Sequence, residues 1–318
     1  MASESQGQPT PTSQYRKKVS QDWEADARFN EYTAAANPRM ASMGIAFLPA
    51  ALHQEGETRI IPFDLSSTLG VPYPATSPGL LASFLRVRTG ETLPTQASAT
   101  SQLFYVIRGS GKSSTSFGAI DWSEGDLFVV PMNAELDHTA RSDAALYWVS
   151  DEPLLGYLGV QPGVPRFRPT LFRRERLLAE LAAVRAQPGA ALRNRMGILL
   201  GNAATPQTLT LTHTLWSLLN VLPAGASQKP HRHNSVALDL CITASPGTYT
   251  LIGEQLEADG RIRDPQRAEW SPGAAFTTPP GWWHSHHNES AHDALVLPVQ
   301  DAGLHTQLRT LDIRFVPG

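Results

Sequence analysis

The chain contains a single cysteine, Cys241. No disulfide can form within it, and neither a Cys-rich zinc module nor an iron–sulfur cluster can be built. Charge is scarce too: 17% of residues are Asp, Glu, Lys or Arg, and 26 basic against 29 acidic residues leave a formal net charge of −3. That balance lacks the electrostatic footprint of a nucleic-acid binder or of a protein held to an anionic membrane. No apolar run approaches the ~20 residues that cross a bilayer. The opening MASESQGQPTPTSQYRKK lacks the apolar stretch of a secretory signal. The expected setting is cytoplasmic, with neither nucleic acid nor membrane as a partner.

Turn formers are abundant instead, with 24 Gly and 25 Pro among 318 residues, 41% of which are hydrophobic. This composition predicts a mainly β chain, and the length suggests two domains. Residues 1–14 have nothing to bury and are expected to be disordered. Residues 15–79 read as an N-terminal arm. It begins with a helix from Tyr15 to Ala36, stopped by Asn37-Pro38, and continues as an irregular segment packed against later elements. Between 80 and 165, short apolar runs such as LLASFLRV, QLFYVIRG, DLFVVP and ALYWV alternate with Gly-containing turns, the pattern of a sandwich or barrel. Residues 166–208 read as a connector with a helix over 170–187, its apolar face formed by Leu177, Leu178, Leu181 and Val184. The β pattern returns over 209–318. Trp122-Ser123-Glu124-Gly125 before one run ending in Pro131, and Trp270-Ser271-Pro272-Gly273 before another ending in Pro279, suggest two copies of one unit.

Six of the ten histidines lie between 231 and 292. His231 and His233 are two apart, so on a strand both rings face the same side. A third imidazole from the cluster around His284 would complete a facial triad with open positions for substrate and water.

Here the chain resembles the cupin superfamily. The first cupin motif, G-x5-H-x-H, reads from Gly225 to His231 and His233. The second, G-x5-P-x-G-x2-H-x3-N, reads through Gly273, Pro279, Gly281, His284 and Asn288. The acidic fourth ligand of many cupins is missing, with Ala237 and Leu238 in its region, so the resemblance implies a metal held by His231, His233 and His284. In the first half, Gly125 and Pro131 fit the second motif. Gln96 and Ser98 stand where the first motif spacing places its histidines, and His138 lies two residues beyond the expected ligand. That half is expected to be a structural barrel without metal.

Among two-barrel cupins, or bicupins, the chain is similar to the gentisate, salicylate and 1-hydroxy-2-naphthoate ring-cleaving dioxygenases. The resemblance implies two double-stranded β-helix (jelly-roll) barrels with an N-terminal helical segment and a connecting helix. It further implies Fe(II), O₂ and an aromatic substrate, in an extradiol-type reaction. It puts Trp216 and Asn220 in the substrate pocket and His286 where the family has a histidine acting on the substrate hydroxyl. The family's carboxylate-binding arginine becomes Asp239. A carboxylate there predicts that gentisate and salicylate are poor substrates and that neutral phenols or aminophenols are better. Alternatively, Asp239 pairs with Arg59 or Arg232. Trp283 is a candidate pocket wall, and Arg59 a candidate ligand for an anionic group. A non-oxidative cupin enzyme (isomerase, hydrolase or decarboxylase) using Zn, Mn or Ni is the second reading, and a ligand-binding bicupin with a structural metal the third. Exposed sheet edges predict a homodimer or homotetramer.

Overall fold

The computed structural model describes residues 23–36, 38, 40–132 and 135–316. The expected disordered tail and the first part of the expected 15–36 helix lie outside these residues. Two units are distinguished, 1–40 and 41–318. In the first, the described helix is only Tyr32–Ala35, capped by Glu31, whose carboxylate accepts from the backbone of Thr33 and Ala34. Residues 23–31 are turn and extended chain rather than helix, so the helix starts where a capping carboxylate satisfies its first N–H groups.

The second unit carries the strands. They run β1 (Phe47–Leu48), β2 (Arg59–Pro62), β3 (Leu81–Val87), β4 (Thr92–Thr95), β5 (Ser101–Arg108), β6 (Ser110–Thr115), β7 (Gly118–Ser123), β8 (Leu127–Pro131), β9 (Leu136–Ala140), β10 (Ala144–Ser150) and β11 (Thr170–Phe172). After the helix Arg174–Arg185 come β12 (Met196–Leu200), β13 (Trp216–Leu222), β14 (His231–His233), β15 (Ala237–Thr243), β16 (Thr248–Gly253), β17 (Gln266–Glu269), β18 (Ala275–Thr278), β19 (Trp283–Asn288), β20 (Ala294–Gln300) and β21 (Ile313–Phe315). They make two jelly-roll barrels, each a six-stranded sheet facing a smaller one. The first pairs β11-β8-β5-β10-β3-β2 with β4-β9-β6-β7, and the second pairs β1-β18-β15-β20-β13-β12 with β17-β16-β19-β14-β21.

The large sheets are buried on both faces. Leu103, Tyr105, Val129 and Val149 of one join Leu219, Leu238, Leu240 and Val299 of the other in a shared core. The opposite faces point into the barrels, where Leu85, Phe104, Phe128 and Trp148 fill the first and Leu222, Cys241, Phe276 and Val296 part of the second. Strands covered on both sides read as continuous apolar runs rather than alternating ones, which is why LLASFLRV carries so little polarity. The outermost strands of the large sheets come from outside the barrels: β2 and β11 border the first, β1 and β12 the second.

One expectation is corrected here. Thr170–Phe172 is a strand paired with β8, so the helix expected over 170–187 begins at Arg174. Sheet pairing overrides local helical preference at that edge. Of its expected apolar face, Leu177 and Leu181 are buried, whereas Leu178 is exposed. No described helix is long and apolar enough to cross a membrane.

Candidate metal centre

His231 and His233 sit on β14 with Arg232 between them, and their rings are buried while Arg232 is turned outward. Antiparallel pairing sets His231 directly opposite His284 on β19. The ligand nitrogens of His231, His233 and His284 all lie within 4.8 Å of one another, and no carboxylate joins that group among the described residues. Ring centroids are 4.0 Å apart for His231–His284 and 4.9 Å for His233–His284.

The tautomers follow from the partners. Nδ1 of His233 donates to the Ser235 carbonyl at 2.8 Å, and Nδ1 of His284 to the Trp282 carbonyl at 3.1 Å. A carbonyl only accepts, so each Nδ1 carries the hydrogen and each Nε2 presents a lone pair. Nε2 of His233 and both nitrogens of His231 are buried without a partner. Burial is the main cause that holds all three rings below the ordinary imidazole range, with His233 pushed down to about 4. Buried, neutral nitrogens converging without donors fit a divalent cation, and three protein ligands leave coordination positions free.

His286, two residues past His284, is also buried and held well below its usual range by burial and by Arg195. Nε2 of His286 accepts from the Arg195 guanidinium at 3.2 Å, and Nδ1 lies 2.8 Å from Oγ1 of Thr250. Arginine has no acceptor, so the hydrogen of neutral His286 is on Nδ1 and points to Thr250. Trp270 donates to the same hydroxyl at 2.8 Å.

Strand parity and register place the remaining groups. Trp216, half-buried, and Asn220, fully buried, share the inward face of β13 with Leu222. Neither amide atom of Asn220 has a partner. Asp239 shares the inward face of β15 with Cys241 and accepts from Oγ1 of Thr278 at 2.7 Å. Its carboxyl is pushed up to about 6 by burial, against the Thr278 hydrogen bond and the Arg195 charge. Gln300 accepts from Oγ of Ser235 at 2.8 Å, which in turn lies 3.2 Å from Nδ1 of His233, and the Gln300 amide nitrogen is buried without an acceptor.

Three sequence expectations fail. Trp283 alternates with His284 and so faces away from the barrel interior, where the Arg232 guanidinium lies 5.3 Å from its ring. Arg59 is exposed on β2 opposite Arg86, in the first barrel's sheet. The cation near Asp239 is therefore Arg195, and neither Arg59 nor Arg232 bonds it. Arg195 itself was not legible: nothing in Arg193-Asn194-Arg195 marks it. It precedes β12, whose pairing sets Gly197 opposite Asn220. Its Nε is buried without a partner. Cys241 is buried, and burial pushes its thiol far above the ordinary range, which rules out a ready nucleophile.

The first barrel holds the counterpart of each position. Thr95 pairs with Leu136 as His231 pairs with His284, so the residues matching the ligands are Thr95, Ala97 and Leu136. Gln96, placed there by motif spacing, is exposed, and Ser98 is one residue off the inward face. His138 corresponds to His286. It lies 2.7 Å from Oγ of Ser113, which accepts from Trp122 at 2.8 Å, reproducing the Trp–hydroxyl–His arrangement of the second barrel. Nε2 of His138 is 2.9 Å from Oγ1 of Thr95, where His286 has Arg195.

No family model matches the chain. Over 86 residues it is 34% identical to the 5-aminosalicylate 1,2-dioxygenase of a Comamonas species, a stretch covering 27% of this chain and 23% of that protein. The alignment thus spans less than a quarter of that relative. Among solved structures, a variant of the salicylate 1,2-dioxygenase of Pseudoaminobacter salicylatoxidans in complex with gentisate superposes with a TM-score of 0.71. The match is at 16% identity and covers 98% of this chain and 97% of that one. The Bacillus subtilis oxalate decarboxylase, studied for its Mn(II) centres, superposes with a TM-score of 0.54 at 14% identity, over 89% of this chain and 86% of that one. The chain thus has the two-barrel cupin fold of the salicylate 1,2-dioxygenase, with three buried histidines grouped as a candidate metal site in its second barrel.

Proposed function

We propose that the protein is a non-haem dioxygenase that opens the ring of a hydroxylated or amino-substituted aromatic, in an extradiol-type reaction using Fe(II) and O₂. The observation that carries this reading is the set of three neutral, buried imidazoles, joined by no carboxylate among the described residues, next to a polar barrel interior. The partial identity to an aminosalicylate dioxygenase and the fold of a salicylate dioxygenase support it. Fe(II) held by His231, His233 and His284 would supply the redox chemistry through which dioxygen reacts with an aromatic. The protein's own groups orient the substrate. Arg195 neutralises an anionic oxygen, Asn220 offers both a donor and an acceptor, and Trp216 forms a wall. His286 is neutral, and once the Arg195 guanidinium turns from its Nε2 to the substrate oxygen, that lone pair is free to accept the proton of the substrate hydroxyl.

The test is elemental analysis of protein purified without oxygen, followed by O₂ consumption with catechol-like, aminophenol and gentisate-like compounds. One iron per chain with aromatic-dependent uptake is expected. A zinc-, manganese- or nickel-filled site with no uptake would support a non-oxidative isomerase, hydrolase or decarboxylase. The observation favouring that second reading is the likeness to a decarboxylase studied for its Mn(II) centres. A metal serving only structure calls for a closed ligand set, and among the described residues the cluster offers three ligands. Self-association as a homodimer or homotetramer belongs to the same reading, and light scattering giving a monomer would remove it.

A further inference from the structure

The two barrels allow each interior position of the metal-binding copy to be compared with its counterpart in a barrel that is simply packed. On β5, Phe104 faces Phe128 and Trp148 across its neighbours, and the three rings stack, with centroids 4.9 Å and 5.8 Å apart. The same register on β15 sets Asp239 between Phe276 and Pro298. Where the first barrel has a phenyl and an indole, the second has a carboxylate and a proline. Leu85 is likewise replaced by Asn220 and Val130 by Thr278. The interior thus loses its filling and gains hydrogen-bonding groups at the same rows.

A carboxylate in such a place is costly unless something pairs with it. Oδ2 of Asp239 has the Thr278 hydroxyl, while Oδ1 accepts no hydrogen bond among the described residues. Arg195 and Asp239 feel each other's charge without bonding, and the guanidinium is turned to His286. One cation and one carboxylate held apart in one interior match a ligand with complementary ends. An added carboxylate beside Asp239 would meet a like charge away from water.

Resting on the ring-cleaving reading, we infer that the ring bound here carries adjacent donor-bearing groups, a hydroxyl next to an amino or a second hydroxyl group. Asp239 accepts from the amino or second hydroxyl, and Arg195 faces the oxygen of the first. The ligand class is an ortho-aminophenol or catechol rather than an ortho-hydroxybenzoate, and Asp239 is the residue that decides between them.

Anaerobic binding to the Fe(II)-loaded, full-length protein at pH 8 tests this without turnover, with 2-aminophenol, catechol and salicylate as probes. Wild type should bind 2-aminophenol or catechol at least about tenfold more tightly than salicylate. Asp239→Asn should shrink that ratio and Asp239→Arg should invert it. Salicylate binding wild type as tightly as the donor-bearing probes overturns the inference, whether or not the variants fold. An unchanged ratio in a folded Asp239→Asn protein does the same. Tight 2-aminophenol binding with no O₂ uptake on admission of air would instead sink the dioxygenase reading and leave the ligand class standing. Salicylate preference with O₂ uptake would do the reverse.

Discussion

His233 is held by more than its place on β14. Its Nδ1–H is shared between the Ser235 carbonyl and the Ser235 hydroxyl, and that hydroxyl donates onward to Gln300. Groups that orient a ligating imidazole are worth roughly 10–100-fold in metal affinity. The Ser235 carbonyl stays in place in either variant, so Ser235→Ala and Gln300→Leu should weaken Zn(II) or Fe(II) binding by about tenfold, the low end of that range, measured by chelator competition. Removing a ligand itself should act differently. His231→Ala, His233→Ala or His284→Ala should each abolish stoichiometric metal by elemental analysis while circular dichroism still reports the β fold. These rings sit on the smaller sheet, and the hydrophobic clusters on both faces of the second barrel's large sheet stay intact in the variants. Unfolding of all three variants would assign the metal to structure. The grouping of these three histidines was legible because motif spacing brings them together. Ser235 and Gln300 were not, because a contact across 65 residues depends on register that no local pattern announces.

At the level of strands, alternation decides which half of a polar run matters. It turned His284 and His286 inward and Trp283 outward, and it moved the first barrel's counterparts from Gln96 and Ser98 to Thr95 and Ala97. Motif spacing assumed equal loops in both copies, and a one-residue difference reverses the face presented. Strand-forming runs were readable from composition, whereas pairing partners such as β11 on β8 were not. His138 on β9 gives this scale its prediction. It is fully buried, and burial pushes its ring down to about 3. The unfolded chain therefore takes up a proton below about pH 6.5 that the folded barrel refuses until near pH 3. The stability contributed by neutral His138 is complete above 6.5 and is lost on acidification at roughly 1.4 kcal/mol per pH unit. His138→Gln should flatten this slope in denaturant titrations between pH 6.5 and 4, with metal stoichiometry unchanged. Halved stoichiometry would mean that the first barrel binds metal after all.

Across the whole molecule, Asp151 ties the two barrels. Its buried carboxylate accepts from the backbone of Thr100 and Ser101, from the Thr100 hydroxyl and from Oγ1 of Thr214 in the segment leading to β13. His213 contacts Thr100 from that same segment at 2.8 Å. Asp151→Ala would strand these donors and should cost about 3–5 kcal/mol, read as a lower melting midpoint with the metal content of the folded fraction unchanged. A loss below about 1 kcal/mol would show that water replaces the carboxylate. The shared Trp–hydroxyl–His arrangement has a consequence for anyone wishing to rebuild the protein. The first barrel is a blank cast from the same mould, already holding an imidazole at the position of His286. Writing histidines at Thr95, Ala97 and Leu136 would supply the missing ligands. The copy would still be a plugged vessel until the rings of Phe104 and Trp148 were cleared, as Asp239 and Pro298 clear its sister.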